Sequence, residues 1–92
     1  MDGPISWTEK SRAHIERHAV SEAEVEAALR GRRRYARKAA DRATVVARTN
    51  GRVLFIVLEN SASVSGAIEV VTARDATPGE KALLLWRGRR VP

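Results

Sequence analysis

The chain has no cysteine. That absence excludes disulfide staples, thiolate-bound zinc and thiol catalysis together, and it fits a reducing compartment. Long apolar runs are missing too. The longest, Val53 to Leu58, falls far short of the ~20 residues that span a bilayer, and the N-terminal residues lack the apolar stretch expected of a signal peptide. A soluble, cytoplasmic protein with no membrane partner is the expectation. Also missing are a Gly-rich phosphate loop, a Gly-x-Ser-x-Gly elbow, paired-carboxylate spacing, internal repeats and linkers, so most enzyme classes go unsupported. With 92 residues in all, the expectation is one domain over 1–92 with a single core.

What the chain does have is positive charge, unevenly placed. Residues 1–26 hold six acids and three bases, whereas residues 27–92 hold five acids and fourteen bases, and the chain totals +6. Arg30, Arg32, Arg33, Arg34, Arg37, Lys38 and Arg42 crowd one segment with only Asp41 opposing them. Such a run suits a polyanion, and arginine in particular suits bidentate phosphate contacts. A solvated basic loop is the plainer alternative.

The patterning predicts an α+β domain. Ile5-Ser6-Trp7 reads as a very short strand, followed by a helix from about Thr8 to His18 capped by Ser6 or Thr8. Ser21 with Glu24 forms a capping box, and Val20 with Val25 a hydrophobic staple, so a second helix is expected over 21–30 and ends at Gly31. Asn50-Gly51 between two apolar runs marks a type I′ hairpin joining strands at 43–49 and 52–59. The second of these is apolar nearly throughout, which predicts a central strand covered on both faces. A third antiparallel strand is expected over 67–73. Thr77-Pro78 then opens a last helix, docked by Leu83, Leu84 and Trp86. The expected fold is two N-terminal helices packed on a small antiparallel sheet of three to four strands, with a short C-terminal helix.

Few residues suggest chemistry. His14 and His18 share a helix face, but Ile15 and Arg17 stand where a metalloprotease motif needs glutamate, and no third ligand is evident; no metal or cofactor is expected. The two histidines either pack on the sheet or exchange protons near neutral pH. Arg48 and Arg52 flank one turn and Arg74 ends a strand, so guanidiniums can gather to hold a phosphodiester and the extra charge of its transition state. Each can equally be a surface charge. Glu80 and Lys81 follow within a few residues of Arg74, where Glu80 either joins the site or only complements the helix dipole.

The ordered segments Trp7, Glu16-Arg17-His18-Ala19-Val20-Ser21-Glu22-Ala23-Glu24-Val25, Arg48-Thr49-Asn50-Gly51-Arg52-Val53-Leu54, Val71-Thr72-Ala73-Arg74-Asp75-Ala76-Thr77 and Glu80-Lys81 resemble the BrnT-like toxin family over most of residues 5–86. The resemblance implies a RelE-like fold and metal-independent ribonuclease activity, in which a 2′-hydroxyl attacks the adjacent phosphate and leaves a 5′-hydroxyl end. It also implies an antitoxin partner, typically a small DNA-binding protein. Mapped here, it implies that Arg74, Arg52 and Arg48 hold the phosphate, His18 or Glu80 is the base, and Lys81 or His14 assists the leaving oxygen. Arg32, Arg33, Arg34, Tyr35, Arg37 and Lys38 are then expected to bind RNA, with Tyr35 or Trp86 stacking a base. Two departures stand out: Ala19 replaces a usual glycine, and Leu83-Leu84-Leu85 replaces a segment that often carries tyrosine. A non-catalytic nucleic-acid-binding domain is the alternative, and an interaction domain without nucleic acid is the third reading. Self-association is left open.

Overall fold

The computed structural model describes residues 3–31 and 33–88. Its elements, in chain order, are β1 (Ile5–Ser6), α1 (Glu9–Arg17), α2 (Glu22–Arg30), β2 (Arg34–Ala39), β3 (Arg42–Thr49), β4 (Arg52–Asn60), β5 (Ile68–Asp75) and α3 (Pro78–Gly88). The fold is α+β, with three helices and one five-stranded mixed sheet ordered β1-β5-β4-β3-β2.

Both early helices begin where side-chain chemistry can satisfy free amides. Thr8 and Ser11 form a capping box at α1, and Ser21 and Glu24 form another at α2. α1 stops in a Schellman motif: Ala19 N–H donates to Glu16 C=O at 3.0 Å, and Val20 N–H to Ile15 C=O at 3.0 Å. Val20 and Ile15 then both enter the core. Asn50 and Gly51 take φ of 44° and 78°, which the I′ turn between β3 and β4 requires.

Two strand expectations need correction. The sheet has five strands rather than three to four, and it is mixed rather than antiparallel, because β1 lies parallel to β5 with Ile5 beside Ile68. Pro4 C=O accepts from Ile68 N–H at 2.8 Å, so the short strand is held by β5 and not by its own length. The other addition is β2, within the arginine run. A two-residue link folds it back on β3, pairing Arg34 with Ala47 and Ala39 with Arg42. Its charged side chains conceal the strand in the sequence, since pairing with β3, not intrinsic propensity, decides it.

The sheet carries apolar side chains on both faces. On one, Ile15, Val20, Val25 and Ala28 of the α1–α2 unit cover Val45, Ala47, Leu54, Ile56, Leu58, Val70 and Ala73. On the other, Leu84 of α3 meets Val46 and Ala76, with Tyr35, Val53 and Phe55 packed around them. β4 is therefore covered on both sides, and its unbroken apolar run follows from that position. Leu83, expected to dock α3, instead faces solvent. The side chain of Trp86 and the tail at 89–92 lie outside the described residues.

Candidate nucleic-acid interface

The α3 side of the sheet gathers the cations. Alternation along β3 puts Arg48 on the same face as Val46, and the β4–β5 register sets Arg74 opposite Phe55. Arg33, just before β2, stands across from Arg48, whose N–H donates to Arg33 C=O at 3.2 Å. Lys81 projects from the first turns of α3. Arg33, Arg48 and Lys81 line a cleft of about 370 Å³ with Val53, Pro78, Ala82 and Leu84. None of these three cationic side chains has an ion-pair or hydrogen-bond partner among the described residues. Three like charges share one cleft, with Lys81 in electrostatic reach of Asp75 and the two arginines without an acid partner among the described residues, an arrangement that suits an anion.

Arg74 lies on the same face of the sheet, outside the lining of this cleft, in a fixed pose. Its guanidinium lies 4.3 Å from the centroid of Phe55, a cation–π distance. Its Nη1 and Nη2 donate to the two carboxylate oxygens of Glu80 at 2.9 and 3.0 Å. Glu80 also closes the start of α3, accepting from Thr77 N–H at 2.9 Å while its own N–H donates to Thr77 Oγ1 at 3.2 Å. Hydrogen bonding to Arg74 holds the Glu80 carboxyl below its ordinary value, and Glu80 in turn raises Arg74. Glu80 is thus a structural carboxylate and a weak proton acceptor.

Arg52 does not share this face. Arg48 pairs with Val53 and Thr49 with Arg52, so the expectation that flanking one turn brings Arg48 and Arg52 together fails on parity: residues four apart in chain, across a two-residue turn, point to opposite faces. Arg52 turns instead to the helix side and ties three elements. It donates to Ala19 C=O at 2.9 Å, to Glu24 at 3.0 Å and to Asp75 at 3.0 Å. Glu24 is held low first by the Ser21 N–H and then by Arg52, and Asp75 is held low by its hydrogen bond to Arg52. With its donors committed, Arg52 serves as a clamp.

His18 is likewise apart. It is the exposed C-cap of α1, adjacent to the Ala19 carbonyl that Arg52 grips, on the helix-covered side. His14 lies half-buried one turn earlier. Among the described residues no three His, Asp or Glu gather. The arginine run splits by alternation: Arg34, Ala36 and Lys38 face the helix side, and Tyr35 and Arg37 face the α3 side. Arg34 is partly committed, donating to Leu29 C=O. Arg32 lies outside the described residues.

The structure therefore gathers Arg33, Arg48 and Lys81 around one cleft, pairs Arg74 with Glu80 separately on the same face, and leaves Arg52, His18, Arg34 and Lys38 on the other face. Phe55, the platform under Arg74, and Glu24, the partner of Arg52, were not anticipated. Phe55 is hidden in an apolar run, and its tie to Arg74 depends on a strand register interrupted by a bulge at Val57/Leu58. Glu24 was legible only as a capping residue. Comparison with family models, curated proteins and solved structures finds no match.

Proposed function

We propose that this chain is a metal-independent ribonuclease toxin of the type II toxin–antitoxin class, acting in the cytoplasm on RNA bound between the sheet and α3. The observation that carries the reading is the cleft of Arg33, Arg48 and Lys81, with the anchored Arg74 on the same face of the sheet. The resemblance of residues 5–86 to BrnT-like toxins supports it, and the RelE-like fold and an antitoxin partner belong to the same proposal. In this reading Arg48, Arg33 and Lys81 hold successive phosphates, and Arg74 faces the phosphate that reacts. The 2′-oxygen bonds to phosphorus as its proton passes to solvent water, the bond to the 5′-oxygen breaks, and the 5′-oxygen gains a proton. Lys81 is the ammonium nearest to serve that leaving oxygen. Electrostatic stabilisation of the pentacoordinate phosphorane supplies most of the rate.

One observation favours a second reading, an RNA-binding domain that does not cut. Glu80 is bound to Arg74 with its proton affinity depressed, and both histidines lie on the helix side, so among the described residues the cleft has no ready general base. Inducible expression in a bacterial host separates the two. The wild type is expected to arrest growth and to produce RNA with new 5′-hydroxyl ends. Arg48→Ala with Lys81→Ala, folded by circular dichroism, is expected to abolish both effects. RNA binding that weakens with salt, accompanied by normal growth and intact RNA, would establish the non-catalytic reading instead.

A further inference from the structure

Arg33 and Arg48 oppose each other as like charges across a strand pair. Extending the β2–β3 register one residue beyond Arg34 and Ala47 puts them directly opposite, and the 3.2 Å hydrogen bond from Arg48 N–H to Arg33 C=O holds them there. Residues so placed share a face with Cβ atoms about 5 Å apart, and like charges at that separation destabilise a sheet. Neither arginine has an acid partner among the described residues. Lys81 adds a third positive charge from the α3 wall of the same cleft. Asp75, the acid that feels Lys81, is already paired with Arg52 at 3.0 Å.

The volume of about 370 Å³ lies at the small end of the roughly 300–1,000 Å³ usual for small-ligand sites, and it confines the three charges to one group's reach. The cleft is open to a ligand: Arg33, Arg48, Lys81, Pro78 and Ala82 are exposed, Val53 is half-buried and only Leu84 is buried. Pro78 is the first residue of α3, so the positive end of that helix dipole borders the cleft as well. An internal stretch of RNA spreads its charge over successive phosphates, one negative charge on each. A phosphate monoester gathers about −1.5 to −2 of charge and three acceptor oxygens on one phosphorus, where three cations can meet.

We infer that this cleft prefers an RNA strand end bearing a phosphate monoester to an internal phosphodiester, with Arg33, Arg48 and Lys81 converging on the terminal phosphate. The terminal nucleotide lies along Val53, Pro78 and Ala82, and the rest of the strand leaves by the open side. This preference rests on the RNA reading of the cleft and adds to it the part of the strand that is recognised. The downstream product of the proposed cleavage begins with a 5′-hydroxyl, so its new end lacks the group that the cleft holds.

The probe is a 2′-O-methyl oligoribonucleotide, which cannot supply the attacking 2′-hydroxyl, prepared unphosphorylated, 5′-phosphorylated and 3′-phosphorylated in one sequence. Competition against a labelled strand, read by fluorescence anisotropy with the full-length protein, gives the three affinities. A terminal phosphate is expected to strengthen binding about tenfold, the effect of one added charge-assisted contact, and the end that gains identifies the end recognised. The gain should shrink as pH falls through about 6, where the monoester loses its second charge while arginine and lysine keep theirs. Arg48→Ala with Lys81→Ala, folded by circular dichroism, should remove the gain, and Lys38→Ala on the far face should leave it intact. Equal binding of all three strands would overturn the inference and leave the RNA reading standing, as would a gain that survives in the folded double variant. Adenosine monophosphate competing as well as the phosphorylated strand would make the ligand a free nucleotide and overturn the assignment to a strand end. Failure of every strand to bind would overturn the inference and the RNA reading together.

Discussion

Ala19 holds φ 55°, the left-handed C′ position of the Schellman motif that ends α1. An L residue with a Cβ is strained there, and glycine is not. Ala19 stands where the resembled family usually has glycine, so the conformation explains the usual residue even though this chain departs from it. Ala19→Gly is expected to stabilise the protein by about 1 kcal/mol, relief of strain outweighing the added freedom of the unfolded chain. Urea unfolding monitored by circular dichroism checks it; an unchanged or lower midpoint would mean that the motif carries no strain. Gly3 shows the opposite constraint, since a Cβ there would sit 2.0 Å from Gly66 C=O, backbone against backbone.

At the scale of elements, Arg52 joins the end of the β3–β4 hairpin to α2 through Glu24, to the α1–α2 junction through Ala19, and to the end of β5 through Asp75. Both acids are held below their ordinary values of 4.5 and 3.8. A carboxyl whose folded value is depressed contributes stability that is complete above its unfolded value and is lost as pH falls through the folded one. Arg52→Met should therefore cost about 1 kcal/mol near neutral pH, chiefly from the half-buried pair with Glu24. The difference from wild type should close as pH drops below the ordinary carboxylate values, and unfolding midpoints measured along a pH series test this. A constant difference would assign the effect to lost packing rather than to the charges. α3 depends on the same kind of economy. Glu80 caps the helix and holds Arg74 with one carboxylate, so the element and the site stand or fall together.

For the molecule as a whole, the sheet separates two basic surfaces. The α3 face holds Arg33, Arg48 and Lys81, and the helix face holds Arg30, Arg34 and Lys38. If RNA lies on the α3 face, each phosphate contact contributes about −0.7 to the slope of log affinity against log salt for a single strand. Arg48→Ala should flatten that slope by about 0.7, and adding Lys81→Ala by about as much again. Lys38→Ala, on the far face, should leave it unchanged. Fluorescence anisotropy of a labelled oligoribonucleotide across a salt series reads all three, and a slope that responds to Lys38 rather than Arg48 would move the RNA to the other face.

Local chemistry was sufficient for much of this architecture. The Ser21–Glu24 capping box, the Asn50-Gly51 turn and the start of α3 at Thr77-Pro78 follow from contacts within a few residues, and the unbroken apolar run of β4 marks its two covered faces, so these are legible in the order of side chains; the Thr8–Ser11 box was not read there. The net positive charge and its concentration after residue 26 are legible in the same way. Tertiary structure alone decided which cations share a surface. Strand alternation sent Arg48 and Arg52 to opposite faces, the bulge at Val57/Leu58 set Arg74 over Phe55, and pairing with β3 turned a run of arginines into an edge strand. Those outcomes depend on register between segments distant in the chain, where a shift of one residue reverses the face of every side chain.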